Sequence, residues 1–224
     1  PNLFSGTGTY DVPSSSTFWI ANSQVTVPSV GEAIELYGKI LVSGSAADFK
    51  VYLSSGITMS GTSTFEVQGG NVELNQFRTT SGSTDNNGAY VQSGGLVTID
   101  NNFGGGADTD YFMFDLAQTD NVFRMSGGTL HVKYEGHEGG ANDKGAIFIN
   151  SDVTNQEVTG GTVIVDVDTA PSNAVCRITS RAPFYNLTIR NNDDGSQDIR
   201  IQGATSGSPS QTITDQPLVV KGDL

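Results

Sequence analysis

Apolar residues alternate with polar ones in short runs along most of the chain, and four of these runs follow a glycine pair. The pairs are Gly69-Gly70, Gly94-Gly95, Gly127-Gly128 and Gly160-Gly161, so the spacings are 94 − 69 = 25, 127 − 94 = 33 and 160 − 127 = 33. Two and four residues past each second glycine stand Val72 and Leu74, Val97 and Ile99, Leu130 and Val132, and Val163 and Val165. A period of two is the signature of a strand with one buried face. Two residues ahead of the first glycine stand Val67, Met125 and Val158; Gln92 takes that place in the second repeat, where Val91 is expected to serve through a local shift.

Met125 and Leu130 are an odd five residues apart, so in a straight strand they would face opposite sides. Both are apolar and both belong inside. The chain therefore has to bend between them, and glycine allows the positive φ and close backbone approach of such a bend. The third repeat predicts strands at 111–116, 122–125 and 129–134, and the fourth at 146–149, 156–158 and 162–167. No stretch of helical period lies between them. Units of 25 and 33 residues are too short for propeller blades of about 40–50. The pattern predicts an all-β chain wound as a parallel β-helix, a solenoid whose coils stack at about 4.8 Å. A right-handed sense follows from the general preference of parallel crossovers. Residues 1–61 (with 16–27, 33–44 and 51–61) read as short N-terminal coils, 62–182 as glycine-pair coils with long corner loops, and 183–224 (with 184–189, 198–203 and 216–224) as short C-terminal coils of a single domain. The chain stops at Leu224 in strand-like sequence, as expected for a piece of a longer chain, and starts at Pro1, as expected for a processed or truncated start.

The phrases "FRMSGGTLHV" and "FYNLTIRN…PLVVKGDL", with "STFWI…VTV…IELYGKILVSG" before them, resemble very large secreted repeat proteins of gliding and related bacteria. The resemblance covers roughly residues 16–224. It implies right-handed parallel β-helices, export by the type IX route, and a place on the cell surface, where many members act as adhesins. It carries no catalytic residues. It also implies an O-glycosylation acceptor at Thr169, within Asp168-Thr169-Ala170. Asn186-Leu187-Thr188 has the letters of an N-linked acceptor but sits in a strand, where a half-buried Asn is the better reading.

Composition narrows the chemistry. Glycine is 28 of 224 residues against a usual share of about 7 %, as turn-rich β structure requires. A net charge of −13 repels nucleic acid and anionic membranes, and no run of about 20 apolar residues could span a bilayer. The single cysteine, Cys176, rules out an internal disulfide and reads as a buried small hydrophobe. Stacking predicts outward columns Glu73, Thr98, His131, Ile164 and Asn75, Asp100, Lys133, Asp166, the second a surface charge ladder with Lys133 between aspartates. Thr129 and Thr162 stack beside Asn71 and Leu96, too mixed a column for the flat threonine ladder of an ice-binding face.

Candidate binding residues lie in three linkers, 75–87, 101–110 and 134–144, expected to leave at one corner. They bring Asp85, Asp108, Asp110, Glu135, His137, Glu138 and Asp143 to one side. Carboxylates in glycine-rich loops suit a hard cation such as calcium, for which Asp108, Asp110, Asp193, Asp194 and Asp198 are the candidate ligands, although neither an EF-hand nor a nonapeptide calcium repeat is present. Two histidines, His131 and His137, do not make a zinc site, and no glycine-rich stretch precedes a helix as a phosphate loop would. The expected function is structural or adhesive: a stalk or passenger whose partners are a surface glycan, another cell-surface protein and the rest of its own chain. The alternative is a carbohydrate-active β-helix enzyme, a lyase or hydrolase using residues such as Asp100, Arg124, His131 and Lys133, or an inactive sugar-binding relative.

Overall fold

The structure, a computed structural model, describes residues 8–29, 31–79, 87–100, 112–134, 145–167, 175–191, 198–201 and 218–224, with 175, 191 and 198–201 described by backbone alone. It is all-β, and every strand pairing is parallel. Strands come in tiers of three. The first four tiers are β1 (Tyr10–Val12), β2 (Thr17–Ala21), β3 (Gln24–Val27); β4 (Ile34–Leu36), β5 (Lys39–Ser43), β6 (Asp48–Val51); β7 (Ile57–Met59), β8 (Thr64–Val67), β9 (Asn71–Leu74); and β10 (Phe77–Thr79), β11 (Ala89–Gln92), β12 (Leu96–Asp100). Then come β13 (Phe112–Leu116) with β14 (Val122–Tyr134), β15 (Gly145–Ile149) with β16 (Gln156–Val167), β17 (Val175–Ser180) with β18 (Asn186–Asn191), and β19 (Asp198–Ile201). Among the described residues the one helical element is a 3-10 turn at Val153–Asn155, capped by Asp152.

One sheet runs β1-β4-β7-β10-β13-β15-β17-β19. The other holds two ladders: β2-β5-β8-β11 leads to the first halves of β14 and β16, and β3-β6-β9-β12 leads to their second halves and on to β18. The predicted strands 122–125 and 129–134 are thus one strand, and so are 156–158 and 162–167. Pairing survives the bend because Ser126 slips to face Gly160 before Thr129 returns to face Thr162. The two ladders therefore form a single, nearly closed sheet.

The bend works as the spacing of Met125 and Leu130 requires. Both side chains are buried, at 1 % and 0 % exposure. Gly128 has φ +77°, and Gly70, Gly95 and Gly161 lie at +78°, +71° and +88°. In the two earliest tiers, Asn22 (φ +51°) and Gly44 (φ +88°) supply the left-handed residue, and Ala46 N–H donates to Asn22 Oδ1 at 3.3 Å. Asparagine is among the few residues other than glycine that tolerate this region.

The core is built by register. Val72, Val97, Leu130, Val163 and Leu187 lie opposite one another strand by strand, and so do Leu74, Ile99, Val132, Val165 and Ile189. The glycine spacings of 25 and 33 are the ladder offsets themselves, from Val72 to Val97 and from Leu130 to Val163. Each fully buried aliphatic side chain contributes about 1.5–3 kcal/mol. In the middle tiers aromatic rings stack in the same way. Tyr90 lies between Phe65 and Phe123 with centroids at 6.1 and 5.8 Å, and Phe77 stacks on Phe114 at 5.3 Å.

Two expectations are corrected here. Val91 does not replace Gln92: Gln92 itself is buried in line with Val67 and Met125, while Val91 faces outward opposite Glu66 and Arg124. The interior tolerates the amide because every polar end is engaged. Tyr90 donates its hydroxyl to Gln92 Oε1 at 2.7 Å, and Gln92 Nε2 donates to the carbonyls of Gly94, Gly95 and Thr129. Asn75 does not head an outward column either. It is buried past the end of β9, its amide donating to Leu53 O at 3.0 Å, because the chain there already turns into β10.

Candidate functional site

The connections from the second ladder to the opposite sheet share one corner. They are 28–33 (β3 to β4), 52–56 (β6 to β7), 75–76 (β9 to β10), 101–111 (β12 to β13), 135–144 (β14 to β15), 168–174 (β16 to β17) and 192–197 (β18 to β19). The candidates Asp108 and Asp110, Glu135, His137, Glu138 and Asp143, Thr169, and Asp193 and Asp194 belong to these connections and lie outside the described residues. Asp198 opens β19, its backbone opposite Val175. Asp85 also lies outside the described residues, but its connection is a different one. Residues 77–79 are a core strand, with Phe77 fully buried, so the linker expected at 75–87 divides, and Asp85 falls between β10 and β11 in the chain. Among the described residues no group of three or more His, Cys, Asp or Glu side chains is placed to hold a metal ion.

At the root of the shared corner the outer face of the second ladder carries a charged cluster. Asp100, Lys133, Asp166 and Arg190 follow one another across β12, β14, β16 and β18, beside His131 in the neighbouring column. The expected exposed ladder is changed in two ways. The aspartates are buried, Asp100 at 8 % and Asp166 at 5 % exposure. Asp166 Oδ2 is engaged diagonally by His131 Nε2 at 2.6 Å, with Arg190 at 3.8 Å, while Lys133 pairs with Asp100 at 3.3 Å. Asp166 Oδ1 is buried and has no hydrogen-bond partner. The contact with the carboxylate fixes the orientation of the imidazole ring. His131 is thus a satisfied histidine in mid-strand.

The outer face of the first ladder holds a second group, which the sequence reading missed. Trp19 projects outward from β2 and is 63 % exposed. Its Nε1–H donates to Ser43 Oγ at 2.8 Å. In the same outward column stand Leu41 and Glu66. Glu66 accepts from Lys39 Nζ at 2.6 Å and from the Gln68 amide. Burial alone would raise the Glu66 pKa, but the hydrogen bonds from Lys39 and Gln68 and the Lys39 charge outweigh it and hold the carboxyl below its ordinary value. The signal was present but masked: Phe18, Trp19 and Ile20 are three apolar letters in a row, and only strand alternation tells that the middle one faces out.

Elsewhere, burial raises the pKa of Glu35 despite the Ser60 hydrogen bond and the Arg78 charge. Burial likewise pushes the Cys176 thiol up to about 12, in keeping with its reading as an inert core residue. Asn186 is half-buried in β18 and accepts from the Asp223 N–H at 3.0 Å. No helix among the described residues is long and apolar enough to cross a membrane. Comparison with protein-family models, with curated proteins and with solved structures finds no match to this chain.

Proposed function

We propose that the chain is a right-handed parallel β-helix that works as a structural and adhesive element of a secreted or cell-surface bacterial protein. The observation that carries this reading is the parallel strand pairing that runs from β1 to β19, with a left-handed corner residue in each of the first six tiers. Such stacking makes a stiff rod with its variable connections at the corners, and connections on a rigid scaffold are where binding concentrates. The corner connections holding Asp108, Asp110, Glu135, His137 and Asp143 are the proposed contacts for a surface glycan or another surface protein. Calcium would be held by carboxylates such as Asp108, Asp110, Asp193, Asp194 and Asp198. Export by the type IX route and glycosylation at Thr169 belong to the same proposal and rest on the resemblance to repeat proteins of gliding bacteria.

A second reading, a carbohydrate-active enzyme, is favoured by one observation: the His131–Asp166 contact beside the same corner, with Asp100 and Lys133 adjacent. One experiment separates the two. The chain is incubated with surface polysaccharides, with and without calcium, and retention and chain cleavage are measured together. Retention without cleavage is expected. Cleavage abolished in Asp166→Asn would establish the enzyme, and neither retention nor cleavage would remove the adhesive role.

A further inference from the structure

We propose that the outer face of the first ladder carries a separate sugar site, a stacking platform for a neutral pyranoside glycan built on Trp19. This site lies on a different surface from the corner connections and does not need them. A lone exposed apolar side chain is ordinary on a protein surface. Trp19 differs in how it is held. It is the one tryptophan of the chain, and its N–H is already spent on Ser43 of the neighbouring strand. The bond spans from β2 to β5, so the indole is drawn over the sheet and its outer ring face is left to solvent, at 63 % exposure. A ring with its polar handle satisfied offers an apolar face with little conformational entropy left to lose.

The surroundings fit a sugar. Leu41 continues the apolar strip on β5, and Glu66 follows on β8, two strand spacings or about 10 Å from Trp19. There Lys39, Glu66 and Gln68 form a connected row of a cation, a carboxylate and an amide, with the Lys39 side chain 36 % and the Glu66 side chain 19 % exposed. One end of a short glycan would lay its C–H face on the indole, and its hydroxyls would meet donors and acceptors two strands away. Sites of this kind pair an apolar floor with a few fixed polar groups. The net charge of −13 disfavours polyanionic sugars, so the occupant is a neutral glycan.

The test uses the whole 224-residue chain, in which tryptophan emission reports this one position. Cellohexaose, mannohexaose and the hexamer of N-acetylglucosamine are titrated in turn, with trigalacturonate as the charged comparison. A saturable change in emission with at least one neutral hexamer is expected. By calorimetry Trp19→Ala should weaken binding by about tenfold or more, and Glu66→Gln by about threefold. Val153→Ala, which trims another exposed apolar side chain, should leave it unchanged. Thermal unfolding of Trp19→Ala should match the parent chain, since little of the ring is buried. The proposal is overturned if no neutral hexamer gives a saturable response. It is equally overturned if Trp19→Ala binds as tightly as the parent. Binding kept in Trp19→Ala but lost when 135–144 is replaced would leave the corner reading standing alone. Emission that shifts with protein concentration, together with dimers in sedimentation, would assign the platform to a second copy of the chain.

Discussion

Replacing Gly128 by alanine should show how closely the tiers approach at the glycine corner. Two costs combine there. The residue has φ +77°, where an L side chain costs about 1–2 kcal/mol. A Cβ would also stand 2.6 Å from the Gly94 carbonyl oxygen and 2.7 Å from that of Gly95. Both are backbone atoms of the tier below and cannot swing aside, so the strand must shift, an overpacking cost of about 1–3 kcal/mol. The expected loss is about 2–5 kcal/mol. Gly61 is the internal control: its φ is +60°, but a Cβ there meets nothing within 4 Å. Gly61→Ala should therefore cost only the conformational part, about 1–2 kcal/mol. Guanidinium unfolding followed by circular dichroism measures both, with the slope checked for constancy so that midpoints compare directly. Equal losses in the two variants would refute the close approach of the tiers and leave the corner glycines as simple turn residues.

The buried amide gives a second expectation. Gln92→Val should cost about 1–3 kcal/mol, because the Tyr90 hydroxyl loses its acceptor inside the core, and the Tyr90→Phe/Gln92→Val pair should cost less than the sum of the single changes in a denaturant double-mutant cycle. Two glutamates should show opposite pH behaviour in thermal melts. Burial raises the pKa of Glu35 above 4.5, so its contribution is fully present below that pH and is lost as pH rises through the folded value; Glu35→Gln should therefore raise Tm at neutral pH and change little well below pH 4.5. The carboxyl of Glu66 is held below 4.5, so its contribution is present above that pH and is lost as pH falls through the folded value; Glu66→Gln should lower Tm at neutral pH and converge with the parent in acid. Cys176 should resist a thiol reagent in the native protein and react in full once guanidinium unfolds it, and rapid native labelling would contradict its burial.

The parallel ladders were legible because the glycine spacing and the strand offset are one quantity, 25 or 33 residues depending on the tier. Alternation likewise placed Val72, Val97, Leu130 and Val163 in a single inward line. The earlier corners at Asn22 and Gly44 carry no such mark in the sequence, because one left-handed residue is enough and need not be half of a glycine pair. Gln92 reads as an outward residue because its letter is polar, and only its contacts show that the core satisfies it. The outward columns were legible around His131 and Asp166, but their contact was not. It runs diagonally between columns, where reach depends on side-chain length and not on spacing. The linker 75–87 reads as one piece because Phe77-Arg78-Thr79 is too short an apolar pattern to announce itself as a strand.

The corners also divide the chain into a part that resists change and a part that accepts it. Between the two ladders the joint never exceeds four residues (44–47) and vanishes altogether inside β14 and β16. From the second ladder to the opposite sheet, by contrast, the joint runs from two residues (75–76) to eleven (101–111) with no loss of register on either side. Length varies too where the opposite sheet returns to the first ladder, from two residues (37–38) to nine (80–88), so it is the joint between the two ladders that is locked. Foreign peptides spliced in place of 101–111 or 135–144 should therefore be displayed in a row at tier spacing, which makes the chain a natural frame for grafting recognition segments.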